Sequence, residues 1–343
     1  MRTVLARPHP PNPRARRLRS LAAPLALTML LASCGDDGGS AGDAGAEIVV
    51  TTTILGDVVR NLVGDDASVD VVMPPNASPH DFAPSAKQAA ALRSADVVVA
   101  NGLGFESGLV AAVDAAADDG ATVLHATDYV ETAPFRANAD HEDEHADEDH
   151  EDEHGAADDH ADHDHDGDDP HVFTDPARMA TIAEGLAADL MAAVPELDTD
   201  AGRERAAAYV AELRALDAEV AATLAAIPDE RRVLVTNHDV FGYFADRYGF
   251  EVLGVVIPGG STLAQPSAAD LADLADAIEE AGVPAVFVET SARSRVAQAL
   301  ADEGTAVEVV ELYSESLGTD DSEAATYIDM VRTNATRIAA ALS

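Results

Sequence analysis

Short β-branched runs alternate with amphipathic stretches along most of the chain. Runs at 48–53, 69–73, 95–101 and 122–127 predict strands, with helices between them at 57–63, 85–93 and 106–117. The cadence returns as strands at 232–236, 251–257, 285–289 and 306–312, with helices at 240–248, 267–281, 293–303 and 323–341. Strict alternation of strand and helix implies a parallel sheet covered by helices on both faces, and two such series imply two α/β lobes.

An Ala-rich helical tract separates the series, at 176–191 and 200–226, interrupted at Val194-Pro195-Glu196. In its second half Ala206, Tyr209, Val210, Leu213, Leu216, Val220 and Leu224 recur at helical spacing. At ~1.5 Å per residue this predicts a helix about 40 Å long. Such a helix is a stiff strut between the lobes and implies only a small lobe rearrangement on binding a ligand.

One segment breaks the pattern. Of the 30 positions from 140 to 169, 17 are Asp or Glu, seven are His, and none is Lys or Arg. No core forms from that composition, so a disordered surface loop is expected. The expected organisation is a first lobe at 47–139, the loop at 140–169, the end of the first lobe at 170–199, a linker helix at 200–228 and a second lobe at 229–343.

Composition narrows the function. With 47% apolar residues the 343-residue chain has ample core material, so its net charge of −42 is carried by a folded body. That charge repels nucleic acid and attracts cations. A single Cys excludes an intramolecular disulfide and a Cys-based zinc site.

The N-terminus accounts for that Cys. The first 33 residues carry six Arg and no acid, ending in an apolar run from Leu21 to Ala32 that is too short for a permanent span. It reads as a secretory signal. Leu31-Ala32-Ser33-Cys34 resembles the bacterial lipobox, which implies cleavage before Cys34, its lipidation, and anchorage on the outer face of the cell membrane. Residues 34–46 then form a Gly/Asp/Ala-rich tether, and the mature net charge falls to −48.

Histidines carry the candidate chemistry. His9 leaves with the signal; His141, His145, His150, His154, His160, His163 and His165 lie in the acidic loop. Four remain. His125 is expected to be an isolated surface residue. His80 follows the strand at 69–73, His238 follows the strand at 232–236, and His171 precedes the helix at 176–191. Ligands of open α/β sheets bind beyond the carboxyl ends of the strands, so these three imidazoles can meet in one cleft. Glu315, just beyond the last strand, adds a carboxylate on the same edge.

Three neutral imidazoles and one carboxylate make a tetrahedral shell suited to Zn²⁺. Four protein ligands leave no open position for substrate, which points to a carrier rather than a catalyst. In the competing reading Glu315 is the general base of a zinc hydrolase. Asp239 and Glu289 are alternative fourth ligands. The loop histidines have irregular spacing and suit a weak, multi-site zinc collector beside the cleft.

At these residues the chain resembles the zinc and manganese family of ABC-transporter solute-binding proteins, also called cluster A-I. The matching segments are Asn76-Ala77-Ser78-Pro79-His80-Asp81-Phe82, Asp169-Pro170-His171-Val172-Phe173, Asn237-His238-Asp239-Val240-Phe241 and Leu312-Tyr313-Ser314-Glu315-Ser316. The resemblance implies two four-stranded α/β lobes joined by one rigid helix, with His80, His171 and His238 as imidazole ligands. It implies a monomer that delivers its ion to an ABC permease and ATPase, with no catalysis; an adhesin role can coexist. Manganese-type members usually carry Glu at the third position, so His238 points to zinc, with Mn²⁺ or Fe²⁺ as the alternative cargo. The fourth position is more often Asp, and Glu315 departs from that pattern.

Overall fold

The β-branched runs form two sheets of the same design. In the computed structural model, which describes residues 46–135, 167–236, 238–255, 275–276, 278–289 and 307–343, the first sheet holds β1 (Glu47–Val50), β2 (Ser68–Val71), β3 (Val97–Ala100) and β4 (Thr122–His125). Their order is β2-β1-β3-β4 and every pairing is parallel. The second holds β5 (Val233–Thr236), β6 (Glu251–Val255), β7 (Ala285–Glu289) and β8 (Glu308–Leu312), in the order β6-β5-β7-β8, again parallel. These are the eight predicted strands, each set four-stranded and α/β.

Alternation within a strand explains why both faces are apolar. Ile48 and Val50 point into the core shared with the central helices, whereas Val49 points away, into a smaller cluster with Val98, Leu92 and Leu109. In the second sheet Val286 and Val288 face a separate cluster and Phe287 faces the shared core.

The helices are α1 (Thr53–Val63), α2 (Ala86–Ser94), α3 (Val110–Asp119), α4 (Pro176–Ala193), α5 (Asp200–Leu224), α6 (Gly242–Tyr248) and α7 (Tyr327–Leu342). α1 starts four residues before the predicted position because the Thr52 side chain accepts the Leu55 backbone N–H, turning the end of an apparent strand into a helix cap. α3 starts four residues late. Gly102, Leu103 and Gly104 all have positive φ, at 97°, 52° and 70°, so the chain turns there before it can wind. α7 likewise starts late, at Tyr327, capped by the Thr326 side chain.

α5 is the predicted strut. Its buried stripe of Ala206, Tyr209, Val210, Leu213, Leu216, Val220 and Leu224 packs on α1, α4 and α7. One continuous core therefore includes Ile48 of the first sheet and Phe287 of the second.

The expected signal at 1–33, Cys34, the tether to residue 45, and the histidines at 141, 145, 150, 154, 160, 163 and 165 lie outside the described residues. So do the predicted helix at 293–303, most of that at 267–281, and the ends of two predicted strands at 256–257 and 306. The acidic loop, drawn to 169, ends earlier. Asp168 pairs with Pro134 in an antiparallel bridge, and Asp169 is buried, its N–H donating to the Ala133 carbonyl at 2.7 Å.

Candidate metal centre

Sheet order places the site. In each sheet the chain moves from its central strand to one side, then crosses back to the other, leaving a crevice at the carboxyl edge. His238 lies just beyond central strand β5, His80 beyond β2, and Glu315 beyond β8. His171 sits at the head of a single helical turn, Val172–Thr174, that leads into α4.

All four side chains come together. Their donor atoms lie within 4.8 Å of one another, and among the described residues they form the one cluster of this kind. Glu315 Oε1 is the hub, at 2.6 Å from His80 Nε2, 2.8 Å from His238 Nε2 and 3.4 Å from His171 Nε2. The imidazole centroids are 5.8, 6.0 and 6.1 Å apart, a nearly equilateral triangle. Tetrahedral zinc, with bonds of about 2.0–2.1 Å, needs donor separations of about 3.3 Å. The His171–Glu315 edge already has that length, and the two shorter edges need to open by less than about 1 Å.

His171 is held at its ring, and His80 and His238 at their backbone carbonyls. His171 Nδ1 lies 2.6 Å from Asp169 Oδ1, which assigns the proton to Nδ1 and turns Nε2 toward the cluster. That Nε2 and Glu315 Oε2 are buried without a hydrogen-bond partner. Two buried polar atoms left this way mark a site built for something more than the protein supplies. The His80 carbonyl accepts from Ser107 Oγ at 2.6 Å, and the His238 carbonyl from Thr236 Oγ1 at 2.8 Å.

Charge explains why the imidazoles gather around Glu315. Burial alone raises the pKa of this carboxyl, but His238 and the hydrogen bonds from the imidazoles outweigh it and hold it well below the carboxylate range. Burial lowers His171, yet Asp169 and Glu315 push it up to about 10; His238 is raised by Glu315 against the same burial. A buried anion favours positive charge beside it, which is why the shifts of Glu315 and of the two imidazoles run in opposite directions.

The Glu315 carboxylate reaches all three rings. Glu289 accepts from Ser314 Oγ at 2.7 Å and, with Asp239, stays out of the donor cluster. His125 is a surface residue 3.8 Å from Asp128. Sequence reasoning missed Asp169, whose signal was an acid two residues before a candidate ligand, and Phe105, whose ring packs edge-on against His80 and His171.

The family described as zinc-uptake complex component A, periplasmic, matches residues 48–341. The chain is 28% identical over 324 residues to the manganese-binding lipoprotein MntA of Halalkalibacterium halodurans, covering 93% of this chain and 96% of that protein. It is 31% identical over 334 residues to the zinc-binding protein TroA of Treponema pallidum, covering 95% and 99%. The solved periplasmic zinc-binding protein TroA from Treponema pallidum superposes with a TM-score of 0.72 at 28% identity, covering 87% of this chain and 99% of that one.

Proposed function

The chain belongs to the family of periplasmic zinc-uptake components, the solute-binding proteins of ABC metal transporters, and from that premise we propose that it captures Zn²⁺ outside the cytoplasmic membrane and hands it to a permease driven by an ATPase. The observation that supports zinc is the convergence of three imidazole Nε2 atoms within 3.4 Å of one Glu315 oxygen. A donor set of three nitrogens and one oxygen suits a borderline ion that accepts four ligands. His80, His171, His238 and Glu315 are the proposed ligands, the ion is cargo, and no catalysis is assigned.

Manganese is the second reading, because MntA is named a manganese-binding lipoprotein. Competition titration of one protein with both ions separates the two. Anchorage through Cys34 after loss of residues 1–33 is proposed from the Leu31-Ala32-Ser33-Cys34 segment. A monomeric carrier is proposed, with the loop histidines as a weak accessory collector.

The test is metal analysis of the purified mature protein beside a His80→Ala/His171→Ala/His238→Ala variant. One zinc per chain in the wild type and no tightly held zinc in the variant is expected. Stoichiometric zinc in the triple variant would move the site elsewhere.

A further inference from the structure

We propose that Phe105 sets the ion selectivity of the cluster by walling water out of it; the inference rests on the zinc-binding reading of His80, His171, His238 and Glu315. Phe105 is fully buried and offers no donor atom. Its ring stands edge-on to His80 at 5.3 Å and 83°, and edge-on to His171 at 5.4 Å and 89°. Phe173 backs it at 5.3 Å and is itself 5.9 Å from His171. Carbon therefore lies against two of the three imidazoles.

The wall is anchored at both ends. Buried Glu106 accepts the Asn101 backbone N–H at 2.8 Å and the Thr51 hydroxyl at 2.5 Å. Ser107 Oγ donates to the carbonyl of His80, and Asn101 Nδ2 donates to the carbonyl of Pro170, next to His171. The segment from Asn101 to Ser107 thus grips both ligand-bearing loops while Phe105 stands between them.

Coordination number gives this wall its consequence. Zn²⁺ is satisfied by four donors, whereas Mn²⁺ and Fe²⁺ favour six and need water or further oxygens to complete the shell. Among the three imidazoles, His80 keeps 11% of its side chain exposed and the other two keep none. Solvent has its approach at His80, the ring that Phe105 also abuts. A water admitted there needs polar partners, and Phe105 presents none. Truncating the ring leaves a cavity beside His80 and His171, and a water seated there is available as an added ligand, which helps Mn²⁺ more than Zn²⁺.

The experiment uses the mature protein as wild type, Phe105→Leu and Phe105→Ala, with Co²⁺ as a spectroscopic probe and Zn²⁺ and Mn²⁺ in competition titrations. The wild type and Phe105→Leu should give the intense visible bands of four-coordinate Co²⁺. Phe105→Ala should give the weak bands of a higher coordination number, and its zinc-over-manganese preference should fall by about tenfold. Phe105→Val, a smaller truncation, should move in the same direction and serves if the alanine variant does not fold. Equal weakening for both ions with an unchanged Co²⁺ spectrum would make Phe105 a merely structural residue and overturn the inference alone. A wild type that binds neither ion overturns the zinc-binding reading and this inference together.

Discussion

Asp169 Oδ1 faces His171 Nδ1 at 2.6 Å and accepts the His171 backbone N–H at 2.9 Å, so one carboxylate oxygen fixes both the ring and the backbone of that residue. Carboxylate behind imidazole raises ligand basicity and locks the tautomer that aims Nε2 at an ion. Asp169→Asn keeps the shape and removes the charge. Zinc affinity should fall by about 10- to 100-fold, read by competition with a chelator of known strength. Wild-type affinity in that variant would leave Asp169 without a role in the site.

Glu315 tests the length of a side chain. Its Oε1 touches three imidazoles at 2.6 to 3.4 Å. Glu315→Asp withdraws the oxygen by about one C–C bond, roughly 1.5 Å, and Glu315→Gln keeps the reach but loses the charge. Both should weaken zinc, and a crystal structure of zinc-loaded Glu315→Asp should contain a water in the fourth position. Direct coordination by the shortened carboxylate with unchanged affinity would show that the backbone adapts and that the methylene is immaterial.

Proton competition sets the pH dependence. His171 and His238 are raised above their ordinary value, chiefly because Asp169 and Glu315 overcome the effect of burial. The stability these groups lend the metal-free protein is complete below about 6.5, their unfolded value, and is lost as pH rises through the folded values, about 10 for His171. Zinc runs the other way, because it must displace the protons. Apparent affinity should climb from acid through neutral pH by about tenfold per unit for each proton displaced, and should not level off just above 6.5. Calorimetry in buffers of different ionisation enthalpy counts the protons; zero release at neutral pH would contradict the assignment.

The strut predicts a shared fate for the lobes. Leu213 is fully buried in the stripe of α5, while neighbouring Arg214 makes an exposed ion pair with Glu184. Leu213→Ala should cost about 2–5 kcal/mol in one cooperative denaturant transition, and Arg214→Ala less than about 1 kcal/mol. Equal costs would mean that α5 does not carry the core that reaches both sheets.

The sequence exposed the parts of this protein that depend on periodicity. The stripe from Ala206 to Leu224 read as a helix because seven apolar residues hold one face, and they are buried as expected. His80, His171 and His238 were legible because strand-end loops converge at a sheet edge. Boundaries set by single capping hydrogen bonds were not: Thr52 looks like strand until its hydroxyl is seen on Leu55 N. Nor was Phe105, since nothing in the order of residues tells which of several aromatic rings will face a ligand rather than a core. Asp169 was hidden by its company, one acid among 17 in a segment whose composition argues for disorder.

That last confusion yields the sharpest test of the acidic segment. The structured neck of the segment closes on itself. Pro134 bridges Asp168, and Tyr243 from the second lobe donates to the Asp169 carbonyl at 2.7 Å while accepting the Ala133 N–H at 3.0 Å. A short Gly/Ser linker in place of 140–166 therefore leaves the Pro134–Asp168 bridge intact, and it removes none of the four clustered donors. Tight zinc binding should survive, with only weak, superstoichiometric binding lost. Extending the deletion to 169 removes Asp169 from behind His171, and affinity should drop by at least about tenfold. Equal loss in both deletions would mean that the segment itself supplies ligands to the ion, and the cluster centred on Glu315 would then be the wrong site.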